Sequence, residues 1–137
     1  MSRIIAIDFG TKRSGIAVTD PLQLIASGLC TVPTSELMDY LQRYFDQEEV
    51  ELIVVGEPKQ MNNQVSESEV YISAFITEFK KVFPKMPVQR HDERFTSKMV
   101  FDTMIASGLK KQKRSDKAMI DQISATIILQ DYLNKLS

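Results

Sequence analysis

The sequence predicts an α/β fold built on a mixed sheet, and three features predict it. Residues 3–8 and 14–19 are two short β-rich runs separated by few residues, as in a hairpin-like pair. Leu52, Ile53, Val54, Val55 and Gly56 form a continuous apolar run, the pattern of a central strand covered on both faces. Beyond residue 34 helical and strand patterns alternate, which places helices against a sheet rather than strands against strands.

Each element follows in order. The first strand ends near Gly10, and the second ends at Asp20-Pro21, a turn signal. A third strand covers residues 26–32. Ser35 is positioned to cap a helix over residues 35–48, with Leu37, Met38, Leu41, Tyr44 and Phe45 on one face. The apolar run at 52–56 follows. After a polar loop at 59–64, residues 66–83 read as a second long helix, stopped by Pro84 and Pro87 before a short strand at 88–91. Helices are then expected at 96–107, ended by Gly108, and from Ser115 onward. No internal repeat or composition shift divides the chain, so a single domain over residues 1–137 is expected.

Composition narrows the function classes. With 137 residues, 43% hydrophobic and 26% charged, the chain can bury a core and has no bias toward disorder. No apolar run approaches the ~20 residues that cross a bilayer, and no charged-then-apolar leader follows Met1, so a cytoplasmic location without membrane association is expected. One Cys (Cys30) and one His (His91) cannot build a thiolate or imidazole cluster, so any metal must be held by oxygen. A net charge of −1 excludes a strongly basic coat protein and leaves nucleic-acid binding to a local patch.

Three acidic positions carry candidate chemistry. Asp8 stands at the end of the first strand, where a carboxylate is held rigidly, and Gly10 permits close approach of backbone or phosphate. Taken alone, a turn aspartate explains it equally well. Glu93, between Asp92 and Arg94, follows a later strand, although acids before a helix capped by Thr96 are favourable without any further role. Asp121 shares a helical stripe with Ala118, Ala125, Ile128 and Tyr132, which turns its charge toward the protein body. Such a carboxylate needs a cation, and a structural ion pair to Arg94 or Lys12 is the alternative to a metal. Three carboxylates from separate elements suit a hard divalent ion, Mg²⁺ or Mn²⁺.

Basic residues lie close to these acids in sequence. Lys12, Arg13 and Arg94 flank two of them, and Lys110, Lys111, Lys113, Arg114 and Lys117 precede the third. Acids for metal interleaved with bases for phosphate are what phosphodiester hydrolysis requires. His91 reads as a strand residue rather than a base, and neither a nucleophile motif nor a nucleotide-binding glycine fingerprint occurs.

Four segments together resemble the ordered motifs of the YqgF family of the ribonuclease H-like superfamily: Asp8-Phe-Gly-Thr-Lys-Arg-Ser-Gly-Ile-Ala-Val-Thr-Asp20, Val54-Val-Gly-Glu-Pro58, Asp92-Glu-Arg-Phe-Thr-Ser97, and the stretch from Lys113 to Gln130. These are bacterial proteins described as Holliday junction resolvases and as nucleases that mature the 5′ end of pre-16S ribosomal RNA. The resemblance implies a five-stranded mixed sheet with strand 2 antiparallel and helices on both faces. It also implies an acidic site at Asp8, Glu93 and Asp121. Glu57-Pro58 departs from the more frequent Leu-Pro, and Asn62-Asn63 from Asn-Gly. Glu57 therefore competes with Glu93 as a ligand, because related resolvases place an acid near the end of that strand.

The activity implied is that of a Mg²⁺- or Mn²⁺-dependent hydrolase acting on ester bonds, an endonuclease or exonuclease. Its expected partner is structured ribosomal RNA precursor, within or apart from a pre-30S ribosomal particle. The alternatives are a resolvase acting on branched DNA and a non-cleaving RNA-binding assembly factor. Monomer and homodimer both remain open. A phosphotransferase related to sugar kinases shares the Asp-x-Gly-Thr opening, but its fold needs a second domain that 137 residues do not supply.

Overall fold

The computed structural model describes residues 2–57, 69–92 and 117–136. Five strands form one sheet: β1 (Arg3–Asp8), β2 (Arg13–Thr19), β3 (Ala26–Pro33), β4 (Val50–Glu57) and β5 (Val88–Asp92). Three helices are described with them: α1 (Leu37–Gln47), α2 (Glu69–Val82) and α3 (Lys117–Leu136). The strand order is β3-β2-β1-β4-β5. β2 runs antiparallel to both β1 and β3, whereas β1, β4 and β5 are mutually parallel. The mixed five-stranded sheet with an antiparallel second strand is thus the one expected. The expected helix at 96–107 and the polar loop at 59–64 lie outside the described residues.

Strand alternation sorts the core into two layers. Ile5, Ile7, Ile16, Val18, Ile53 and Val55 face α1 and α2, packing with Leu37, Leu41, Ile72 and Phe79. Ile4, Ala6, Ala17 and Val54 face α3 and pack with Ala125, Ile128 and Leu129. Both faces of β1 and β4 are covered, which is why their sequences read as unbroken apolar runs. The α1 stripe behaves as its spacing predicts: Leu37 and Leu41 are fully buried, and Met38, Tyr44 and Phe45 pack against the same layer.

Some boundaries differ from expectation. Ser35 does not cap α1, because residues Thr34–Glu36 form a 3₁₀ turn and α1 starts at Leu37 with no side-chain cap. Pro33, extended at φ −57° and ψ 135°, ends β3 directly before that turn, and the N-cap of α1 falls at Glu36, one residue later than expected. At the β2–β3 connection Asp20 organises the turn, accepting hydrogen bonds from the backbone N–H groups of Leu22, Leu24 and Ile25. Those bonds, the one from Ile25 foremost, hold its carboxyl below the usual range.

A clamp ties the parallel strands to α2. Arg90 of β5 donates to both carboxylate oxygens of Glu69, at 2.6 and 2.8 Å, and to the carbonyls of Val55 and Gly56. Both side chains are largely buried, so removing one partner takes the two-point ion pair away from the other's charge. Replacing Arg90 with Met is expected to lower unfolding free energy by about 3–5 kcal/mol. Adding Glu69→Leu to that variant should restore most of the loss in urea denaturation.

Candidate active site

Parallel and antiparallel pairing together assemble one functional edge. The carboxyl ends of β1, β4 and β5 point the same way, and the amino end of antiparallel β2 meets them there. That edge carries Asp8, Arg13, Gly56, Glu57 and Asp92. Open α/β sheets bind ligands at this edge, where strand ends leave loops free to vary.

Asp8 is in phase with Ile4 and Ala6, on the face that α3 covers, and its register partner on β2 is Gly15. Gly15 is buried beneath α3. A Cβ added there would stand 2.0 Å from the carbonyl oxygen of Asp121, so the helix backbone rests directly on that strand position. Asp121 is thereby seated above the strand pair that ends in Asp8. Its carboxylate accepts a 2.7 Å hydrogen bond from Arg13 Nε, and the two side chains are 23% and 36% exposed. Among the described residues the cation beside Asp121 is therefore Arg13 and not Lys12; Arg94, the other partner the sequence suggested, lies outside the described residues. Lys12 is exposed in the neighbouring loop.

The loop from Phe9 to Lys12 is pinned from below. Ser14, with no exposed surface, shares a 2.9 Å hydrogen bond with Thr34, whose hydroxyl also donates to the Gly10 carbonyl. Thr34 N–H donates to Lys12 O at 3.0 Å. Gly10 is required because a Cβ would fall 2.4 Å from the Arg13 carbonyl oxygen. On β5, His91 is buried and its Nε2 lies 2.6 Å from Asp131 Oδ2, joining that strand to α3. His91 thus has a structural role, as its strand position implied.

The sequence candidates divide clearly. Asp8 and Asp121 are brought to one face. Glu57 is in phase with Ile53 and Val55, the layer that faces α1 and α2, so alternation sets it opposite Asp8. Glu93, Arg94, Lys110, Lys111, Lys113 and Arg114 lie outside the described residues; Glu93 directly follows the end of β5, and Lys117 opens α3. Among the described residues no three His, Cys, Asp or Glu side chains group closely enough to hold a metal. Asp8 and Asp121, the two acids that strand phase and helix seating place on this face, are hard oxygen donors, which fit Mg²⁺ or Mn²⁺ and not a softer metal.

Gly15, Ser14, Arg90 and Glu69 escaped the sequence reading. Gly15 had a signal, since an isolated glycine inside a strand marks a close approach of backbone. Arg90 had none, because a charged residue in a short edge strand reads as solvated.

The family model for RuvX, described as Holliday junction resolvase, matches residues 2–135. The chain belongs to that family. Among curated relatives of this RuvX-family chain, proteins of Flavobacterium johnsoniae and Christiangramia forsetii are each 60% identical over 134 and 133 residues. These alignments cover 98% and 97% of this chain and 97% and 98% of the relatives. Both relatives carry the name "Putative pre-16S rRNA nuclease". A solved structure of Thermus thermophilus RuvC in complex with a Holliday junction substrate matches with a TM-score of 0.58 at 14% identity. That match covers 99% of this chain and 96% of the other. The fold is RuvC-like, within the ribonuclease H-like class.

Because α3 rests on the backbone of β2, Gly15→Ala is expected to displace Asp121 and to cost about 1–3 kcal/mol of stability. A lower urea midpoint, together with an altered Arg13 side-chain environment by NMR, would register both effects.

Proposed function

We propose that this chain is a metal-dependent nuclease that hydrolyses phosphodiester bonds in processing the 5′ end of pre-16S ribosomal RNA. The observation that carries the reading is the seating of Asp121 over Gly15, the register partner of Asp8. It brings two sequence-distant carboxylates to one edge of a RuvC-like sheet. The names of the relatives at 60% identity support the substrate.

In this reading Asp8, Glu93 and Asp121 hold Mg²⁺ or Mn²⁺. An ion held there would supply Lewis acidity at the phosphoryl oxygens and lower the pKa of the attacking water. Glu57 is set aside because its strand phase opposes that of Asp8. Asp8 is fixed by its strand and Asp121 by the helix–strand contact, so both carboxylates are oriented before substrate arrives. Arg13 offsets the charge of Asp121 and lies where it can exchange that partner for a substrate phosphate. Lys12, Arg94 and the basic residues Lys110, Lys111, Lys113, Arg114 and Lys117 add backbone contacts. The protein acts in the cytoplasm, as a single domain, on precursor RNA or on the pre-30S particle. No helix among the described residues is long and apolar enough to cross a membrane.

The family description favours a second substrate, the four-way DNA junction. Symmetric cutting there requires two active sites and hence a homodimer, whereas end processing of RNA is open to a monomer.

Purified protein incubated with precursor ribosomal RNA and with a four-way DNA junction separates these readings. Cleavage of the RNA is expected with Mg²⁺ or Mn²⁺ and none with chelator. Asp8→Asn should lower the rate by more than about 100-fold, beyond the loss typical of outer-shell partners of a metal, while leaving the circular dichroism spectrum unchanged. Junction cutting with RNA untouched would transfer the assignment to the resolvase. RNA binding without cleavage, indifferent to chelator and to Asp8→Asn, would leave a non-cleaving assembly factor.

A further inference from the structure

The loop that follows Asp8 has a second side. β1 alternation sends Asp8 toward α3 and Phe9 toward α1 and α2. There Phe9 packs on Phe75, with ring centroids 5.3 Å apart, and the two form part of the wall of an open cavity of about 450 Å³. Tyr71, Ala74, Phe75 and Glu78 of α2 supply one wall at helical spacings of 0, 3, 4 and 7. Thr11, Thr34 and Met38 complete the lining. Ala74 is the small member of the stripe and leaves a notch between Tyr71 and Glu78. Tyr71 is 58% exposed, a large aromatic left facing solvent.

The geometry points to a nucleobase-binding subsite in this cavity, taking one unpaired base of the RNA strand whose backbone crosses Asp8. This rests on the nuclease reading and names the part of the substrate that the site would recognise. The exposed Tyr71 ring offers a face on which an unstacked base packs, the half-buried Phe9 and Phe75 add aromatic wall behind it, and Thr11 and Glu78 line the same cavity with a hydroxyl and a carboxylate for base edges. The volume suits a small planar ligand, since binding cavities run from about 300 to 1,000 Å³. Continuity decides the occupant: Phe9 of the wall is the next residue after Asp8, and Thr11 shares a loop with Lys12 and Arg13. A strand gripped by those cations at its phosphates passes the mouth of the cavity with its bases splayed.

The probe is a short fluorescent single-stranded oligoribonucleotide and a set of copies with one abasic nucleotide at each position in turn. Binding to the full chain is read with Mg²⁺ and with chelator, before product accumulates. One abasic position is expected to weaken binding to the wild type by roughly tenfold. Tyr71→Ala, which removes the exposed ring, and Ala74→Leu, which fills the notch, should each weaken the intact strand by a similar factor. Both variants should also become indifferent to that abasic position. Both changes lie at exposed helix positions, so the fold is retained, and circular dichroism verifies it. Variants that bind every probe as the wild type does, while precursor RNA is still cleaved, overturn the subsite and leave the nuclease reading standing. Equal losses for every probe overturn the subsite as well. So does a change in self-association, read by sedimentation, with RNA affinity intact, which would assign the cavity to a protein contact. A wild type that neither binds nor cuts RNA removes both.

Discussion

α3 reaches the sheet because two strand positions beneath it lack side chains. At Gly15 an added Cβ would stand 2.0 Å from the Asp121 carbonyl oxygen, and at Gly28 it would stand 2.6 Å from the Gln122 side chain. This close approach lets Ala125, Ile128 and Leu129 bury themselves against Ile4, Ala6, Ala17 and Val54. The small residues Ala6 and Ala17 continue the same shallow surface up the sheet. A helix held farther out would leave voids in that layer, and each deleted buried methylene costs about 0.8 kcal/mol in lost burial alone.

Chemistry at the sheet edge follows from that contact. Asp121 is the fifth residue of α3, and its backbone sits on the strand position paired with Asp8. The helix cannot slide without moving the carboxylate away from the strand end. His91 and Asp131 fasten the helix farther along, and Arg13 holds the carboxylate itself. On the other side of the sheet Arg90 and Glu69 anchor α2, whose first turns line the cavity beside Phe9. The two helical layers are thus locked independently to opposite faces of the same edge.

Some elements were legible because local pattern and tertiary role agree. The apolar run at 52–56, the α1 stripe from Leu37 to Phe45 and the inward stripe of the last helix all follow directly from burial. Ser35 misled because capping residues also occupy short turns, and Pro33 set the chain into a 3₁₀ turn first. Arg90 was illegible since its value depends on Glu69, twenty-one positions away and on another element. Glu57 competed with Glu93 in the sequence because strand ends look alike; only the phase of β4 against β1 separates Glu57 from the Asp8 face.

By itself the sequence determined the order of strands and helices, the family and the identity of Asp8 and Asp121 as acids worth attention. These depend on periodicity and motif, which are properties of neighbours along the chain. Tertiary structure alone decided that Asp8 pairs with Gly15, that Asp121 rests above that pair and that Arg13 is its cation. The two that involve Asp121 are contacts across more than a hundred positions. They exist because a glycine removes the one atom that would keep helix and strand apart; an isolated glycine in a strand signals that some backbone comes close, and only three-dimensional packing decides that it is the backbone of Asp121.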